Sequence, residues 1–252
     1  MKYFFVFLFA LTFTISEGQK RDSLPHRLNT IKLNLVSRWL YSNSYVFSYE
    51  RITKPNQSFA VMGGVVNFPS IADFGSSIKV KEERKKKGYV YGGEYRFYLQ
   101  KENKFAAPHG VFVGPYVNYF HFSNDRTLVY TPPGNTTTSS ALMTMDLNVL
   151  NIGAQLGYQF VIKDRWTIDL VFIGPSISNY SVKLKVNGDF DVSEQDILES
   201  EILSALVNRF PLIGDLLTDQ SVKVQGKTQQ WAGGFRYQAN VGYHFGRKNK
   251  KK

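Results

Sequence analysis

The sequence predicts an all-β chain, an antiparallel up-and-down transmembrane β-barrel of about eight strands with short periplasmic turns, long outer loops and one amphipathic helix in the last loop. Three observations lead there. First, Asn148–Ile162 (NVLNIGAQLGYQFVI) alternates with period two, placing Leu150, Ile152, Ala154, Leu156, Tyr158, Phe160 and Ile162 on one face and Asn151, Gly153, Gln155, Gly157 and Gln159 on the other. A wholly apolar face backed by a polar or tiny one suits a strand with lipid outside and hydrogen-bonding side chains inside. Second, the links between strand-like stretches run short and long in turn, as barrel turns on one side and loops on the other would. Third, the chain after its N-terminal leader has no run of about twenty apolar residues, so any crossing has to be made by strands. A secreted β-sandwich or a lipocalin-like barrel would use the same alternation with the apolar face turned inward, and is the alternative reading.

Taken in order, Ile31–Leu40 sets Ile31, Leu33 and Leu35 against Asn34 and is the expected first strand. Tyr45–Ile52 alternates Tyr45, Phe47 and Tyr49 with Val46, Ser48 and Glu50, and Lys54-Pro55-Asn56-Gln57 turns the chain. Ser58–Phe68 follows, with paired glycines where bending or close approach is wanted. Gly88–Gln100 opposes Tyr89, Tyr91, Tyr95 and Phe97 to a face holding Glu94 and Arg96. Gly110–Phe122 is apolar on both faces and carries Pro115, which predicts a bulge or a local break in the ladder. Trp166–Tyr180 places Trp166, Ile168, Leu170 and Phe172 against Thr167 and Asp169. Gly233–Phe245 closes the set, with Phe235, Tyr237, Val241, Tyr243 and Phe245 against Arg236, Gln238, Asn240 and His244. Pro69–Lys87, Ser123–Leu147 and roughly Ser181–Gln229 are expected as the long loops. Within the last, Ser193 and Asp196 form a capping pair for an amphipathic helix over Ser193–Phe210.

Residues 1–18 read as a signal peptide: Lys2, the short apolar run Tyr3–Ile15, then Ser16-Glu17-Gly18, with cleavage expected before Gln19. A retained anchor is the alternative. Residues 19–30 are a lead-in, 31–246 the barrel domain and 247–252 a basic tail. The 252 residues hold 15 Tyr, 20 Phe and 20 Gly, which suits curved sheet with interfacial aromatics. No cysteine is present, so a lipoprotein anchor, a disulfide framework and a thiol nucleophile are all excluded. The net charge of +11 sits in two short runs rather than along an aromatic-laced surface, which argues against nucleic acid as a partner.

Ser48-Tyr49-Glu50-Arg51, Gly92–Leu99, Gly153–Phe160 and Gly242-Tyr243-His244-Phe245 together resemble the small outer-membrane β-barrels, comparable with the OmpA transmembrane domain and OmpX-type proteins. The likeness is closer still to uncharacterised Bacteroidetes barrels. It implies residence in the outer membrane, contact with outer-membrane lipids and lipopolysaccharide, and delivery by the barrel insertion machinery, for which Tyr243 and Phe245 resemble the alternating aromatics of a last-strand insertion signal. Asn240 stands where such signals commonly have glycine, and the chain runs on past Phe245.

Three places could carry chemistry. The polar faces send Glu50, Glu94, Arg96, Asp169 and Arg236 into the interior, where charges have to pair; an ion-pair network filling the lumen is expected, and a narrow solute conduit is the alternative. His121-Phe122-Ser123-Asn124 resembles the His/Ser motif of outer-membrane lipid A deacylases, in which serine attacks an acyl ester and histidine is the base. On a strand His121 and Ser123 share a face; Asp125 and Asp146 are the candidate acids, and the following DRTLVY departs from that family. The run carrying Lys79, Lys81, Arg84, Lys85, Lys86 and Lys87 is expected in an outer loop, facing lipopolysaccharide phosphates or simply solvated. No metal-ligand spacing or phosphate-cradling glycine loop occurs, so no cofactor is expected. The composite expectation is a non-enzymatic outer-membrane barrel serving envelope structure, adhesion or ligand contact through its loops.

Overall fold

Alternation and turn chemistry lay the chain out as ten strands and one short helix in the computed structural model, which describes residues 27–40, 43–67, 78–130, 138–188 and 226–246. In order these are β1 (Asn29–Asn34), α1 (Leu35–Leu40), β2 (Tyr45–Lys54), β3 (Gln57–Val65), β4 (Ile78–Tyr98), β5 (Gly110–Tyr130), β6 (Ser139–Ile162), β7 (Trp166–Ile173), β8 (Pro175–Gly188), β9 (Gly226–Phe235) and β10 (Gln238–Phe245). The expected signal peptide, the Ser193–Phe210 helix and the 247–252 tail lie outside the described residues. Among the described residues no helix is long and apolar enough to cross a membrane.

Eight of the strands close a ring, β1-β2-β3-β4-β5-β6-β7-β10, with every neighbouring pair antiparallel and β10 back beside β1. β8 prolongs β7 past Gly174, and β9 leads into β10 through Arg236-Tyr237. The all-β antiparallel fold class therefore holds. From Leu33 the ladder runs through Phe47, Gly63, Tyr91, Tyr119, Leu150 and Asn179 to Trp231, whereas Leu33 itself lies beside Val241, ten residues further along that path. Such a stagger goes with strands tilted by about 40° and an interior wide enough for side chains only.

Local chemistry sets the turns. Lys163 (φ 51°) and Asp164 (φ 56°) sit at the centre of a two-residue hairpin turn closed by Arg165 N–H donating to Ile162 O at 3.1 Å, the left-handed geometry that matches strand twist. Gly114 passes so close to β4 that a Cβ there would meet Tyr95 O at 1.8 Å. The ladder beside it skips from Glu94↔Tyr116 to Phe97↔Val113, leaving Pro115 without a ladder partner on β4; on its other side β5 pairs with β6 without a shift. The bulge of this region falls instead at Leu156/Gly157, between β6 and β7.

Two expectations need correction. The first strand ends at Asn34, not Leu40, because the Asn34 side chain accepts a hydrogen bond from Ser37 N–H at 2.7 Å and so caps a helical turn over Leu35–Leu40. The long loops are also shorter than expected, the first at its C-terminal end and the other two at both ends. Ile78–Lys87, Ser123–Tyr130, Ser139–Leu147, Ser181–Gly188 and Gly226–Gln229 are strand. β3 is last paired with β4 at Val65↔Tyr89, and β1 stops at Asn34, so these segments stand clear of the ring as an open five-stranded sheet, β4-β5-β6-β8-β9. Polar strand of this kind takes its order from partners far away in sequence, which no local pattern reveals.

Polarity reverses along these same strands. In the ring, Ile152, Phe160, Ile162 and Ile168 face outward and exposed, while Gln155, Gln159, Thr167 and Asp169 are buried inside. In the extension the outward residues of β5 and β6 become Ser123, Asp125, Thr144 and Asp146, and the buried inner face holds Phe122, Leu128, Ala141, Met143, Met145 and Leu147 together with Asn124 and Arg126. The crossover is marked by rings of tyrosine, with Tyr91 against Tyr119 at 5.1 Å and Tyr89 against His121 at 4.9 Å. At the turn end, Trp166 packs edge-on against Tyr243 at 5.6 Å.

Candidate functional site

The inward faces of β1, β2, β4, β6 and β7 and the link between β9 and β10 meet in a buried network of three cations and three anions. Lys32 Nζ lies 2.5 Å from Asp169 Oδ2 and 2.7 Å from Glu50 Oε2, and donates to Gln159 Oε1 at 2.7 Å. Arg96 reaches Asp169 Oδ2 at 2.9 Å and Gln159 Oε1 at 3.0 Å, and pairs with Glu94. Arg236 continues the chain from Glu94 Oε2 at 2.7 Å to Gln238 Oε1 at 2.6 Å. Ser58 and Tyr98 donate to Glu50 Oε1 at 2.5 and 2.7 Å. Rings complete the surroundings: the Arg96 guanidinium lies 4.1 Å from the Phe112 ring centroid, and Arg236 4.6 Å from that of Tyr116.

The five residues expected on polar faces, Glu50, Glu94, Arg96, Asp169 and Arg236, thus occupy one connected cluster. Lys32 is the member the sequence reading missed. Its signal was present, since it alternates with Ile31 and Leu33 and so shares the inward face with Asn34. With Lys32 included the cluster holds three basic and three acidic side chains, so each buried charge has a partner of opposite sign. Geometrically it ties strands from all round the ring to one another, and the cavity beside Glu94, Arg236 and Asn240 measures about 10 Å³, room for a single water.

At the turn end, a cleft of about 340 Å³ opens between the Pro55-Asn56 turn and the β4–β5 connection, lined by Gln100, Lys101, Asn103 and Lys104. Tyr98, which also lines it, is buried and hydrogen-bonded to Glu50, so its ring stands between cleft and network. His109 stacks on Phe105 at 4.6 Å, and its burial there holds its pKa below the ordinary histidine value.

His121 and Ser123 do share the outward face of β5. His121 Nδ1, however, is 2.7 Å from the amide oxygen of Asn148, which also accepts from Tyr119 OH at 2.8 Å. The partner of the ring is therefore an amide, which cannot support an imidazolium as a carboxylate would. Ser123 stands in register with Asp146 on one side and Lys87 on the other. Tyr243 and Phe245 lie on the outward face of the last strand, Tyr243 beside Ile31 and Trp166.

The basic run is not a loop, contrary to expectation. Its residues belong to β4, where Lys87 stands opposite Ser123, Lys86 opposite Asn124 on the inward face, and Lys79 opposite Val129; Lys81 and Arg84 fall in two register shifts, with Lys85 just after the second. Among the described residues this stretch is an edge of the open sheet, and bulges with lysine on an edge strand are what deters strand-to-strand aggregation.

A family model described as Protein of unknown function (DUF3575) matches residues 52–181. That span holds Glu94, Arg96, Gln159 and Asp169 but stops short of Lys32, Glu50 and Arg236. No curated protein and no solved structure matches the chain.

Proposed function

The chain belongs to the family described as Protein of unknown function (DUF3575), and from that premise we propose that it is a non-enzymatic β-barrel of the outer membrane. Its extension beyond the bilayer is the working part, for envelope structure, adhesion or ligand contact. The observation that carries this reading is the reversal of polarity along single strands. Between Leu150 and Ile162 the outward face of β6 is apolar, and twelve residues at a rise of about 3.3 Å, tilted by about 40°, cover about 30 Å, the thickness of a bilayer core. Beyond Leu150 the outward face turns polar, and the buried inner face is built mainly from Phe122, Leu128, Ala141, Met143, Met145 and Leu147, with Asn124 and Arg126 among them. A soluble sandwich or lipocalin-like barrel has no use for charges inside and isoleucines outside over one stretch only.

Within this reading, residues 1–18 are the signal peptide, the chain is an OmpA/OmpX-like barrel of Bacteroidetes type, and outer-membrane lipids, lipopolysaccharide and the insertion machinery are its partners. The ion-pair network across the middle of the ring supports structure over solute conduction, and the amide partner of His121 weighs against the lipid hydrolase.

Envelope fractionation with heat-modifiability tests it. A closed barrel survives detergent unheated, so the unboiled protein from the outer-membrane fraction should migrate differently on a denaturing gel from the boiled one. A protein recovered in the soluble fraction with no mobility shift overturns the proposal.

A further inference from the structure

We infer that the cleft at the turn end of the ring, between the Pro55-Asn56 turn and the β4–β5 connection, binds a short acidic peptide, with Lys101 and Lys104 meeting its carboxylates and the amides of Asn56 and Gln100 its backbone. The cleft is built from the ring's own hairpins and needs no bilayer around it. The β4–β5 connection, Leu99–His109, is eleven residues long, where β2–β3 and β6–β7 turn in two and three. A long connection among tight turns is where binding groups are usually carried. This one is also fixed in place. Asn103 clamps it from within, its Oδ1 accepting from Val111 N–H at 2.7 Å and its Nδ2 donating to Val111 O at 2.9 Å, and Ala107 N–H donates across to Pro55 O at 3.1 Å. Walls that are already ordered lower the cost of binding.

The groups this clamp leaves over identify the ligand class. The side chains of Asn56, Gln100, Lys101 and Lys104 line the cleft and have no hydrogen-bond or ion-pair partner among the described residues. Glu102, the one carboxylate of the connection, is exposed and pairs with neither lysine. The network carboxylates lie behind the buried Tyr98 ring, whose hydroxyl donates to Glu50. Around the cleft, the other two hairpins and their flanks add exposed Lys54, Lys163 and Arg165 against Asp164, so the field at this end favours an anion. A bare inorganic anion would satisfy the ammonium groups and leave the amide oxygens of Asn56 and Gln100 without a donor. A peptide supplies carboxylates to the first and both N–H and C=O groups to the second. Phe105, 59 % exposed, adds apolar surface with Pro55 and Ala106 for the peptide's carbon atoms. At about 340 Å³ the cleft stands at the small end of ligand pockets, which suits a short occupant.

The test is calorimetric titration of the full chain, refolded in nonionic detergent micelles, with acetyl-Glu-Ala-Glu-amide and with its uncharged counterpart acetyl-Gln-Ala-Gln-amide. The acidic peptide should bind about tenfold more tightly, the effect of two exposed ion pairs. Lys101→Gln/Lys104→Gln should abolish that preference. Lys163→Gln/Arg165→Gln, which removes as much charge from the β6–β7 hairpin, should keep it, and Asn56→Ala/Gln100→Ala should weaken both peptides alike. The assignment is overturned if wild type binds the two peptides equally or binds neither, or if both charge variants lose the preference to the same degree, which would mean a diffuse field rather than a site. It is also overturned if sodium phosphate displaces the acidic peptide at equal concentration, which would make the cleft a plain anion site.

Discussion

Lys32 Nζ bridges Asp169 Oδ2 at 2.5 Å and Glu50 Oε2 at 2.7 Å across the middle of the ring, so one cation from β1 serves a carboxylate from β2 and another from β7. Each of these groups is essentially inaccessible to solvent. Removing the cation strands charge rather than merely deleting a contact.

Lys32→Met should therefore destabilise the folded barrel by about 3–5 kcal/mol, the usual consequence of leaving a buried charge without its partner. Urea titration of the compact gel form measures this. Adding Glu50→Gln to the Lys32→Met protein should recover part of the loss; a double variant less stable than the single would contradict the charge-balance account.

Gly114→Ala should destabilise by about 1–3 kcal/mol, since a Cβ would overlap the Tyr95 carbonyl and the two backbones would have to part. Alanine at Gly233, where nothing lies within 4 Å of the added Cβ, is the matched control and should be close to neutral.

Charge placed outward on β6 should be tolerated or not according to depth. Ala154→Arg falls within the apolar stretch and should cost about 2–4 kcal/mol when the protein is refolded in bilayers. Thr144→Arg, ten residues up the same face, should stay within about 0.5 kcal/mol. Equal costs at the two positions would mean that no bilayer boundary lies between them.

The lysines of the β4 edge should matter for solubility more than for stability. Lys79→Thr, Lys81→Thr and Lys87→Thr together should raise the rate of light-scattering growth during refolding while leaving the unfolding free energy from urea titration within about 0.5 kcal/mol of wild type. A midpoint that falls while scattering stays flat would assign the run a different task.

Ser123→Ala should leave acyl-ester content unchanged when the protein is incubated with lipid A or phospholipid, because wild type is expected to be equally inert. Hydrolysis by wild type that Ser123→Ala abolishes would restore the hydrolase reading at His121 and Ser123.

The alternation of Asn148–Ile162 contained the barrel wall in full, because side-chain direction in a strand is a strictly local property of period two. For the same reason the parity of Glu50, Glu94, Arg96, Asp169 and Arg236 was legible, and Lys32 would have been, had Ile31 and Leu33 been read as strictly as Leu150 and Ile152. The helical turn at Leu35–Leu40 was missed because Asn34 serves both as the last inward residue of a strand and as a cap, and its second role shows only when the chain turns away.

What the tertiary structure alone decided was closure, connection and the extent of the sheet. Which carboxylate meets which cation depends on the ten-residue stagger of the ring, a sum over eight pairings that no one strand encodes. The extension was equally out of reach: KVKEERKKK and the Ser/Thr-rich flanks of the second long connection look solvated in isolation, and become strand because β5 and β6 offer them hydrogen-bonding edges from far along the chain. Local pattern determines which way a side chain points; only long-range pairing determines what it finds there.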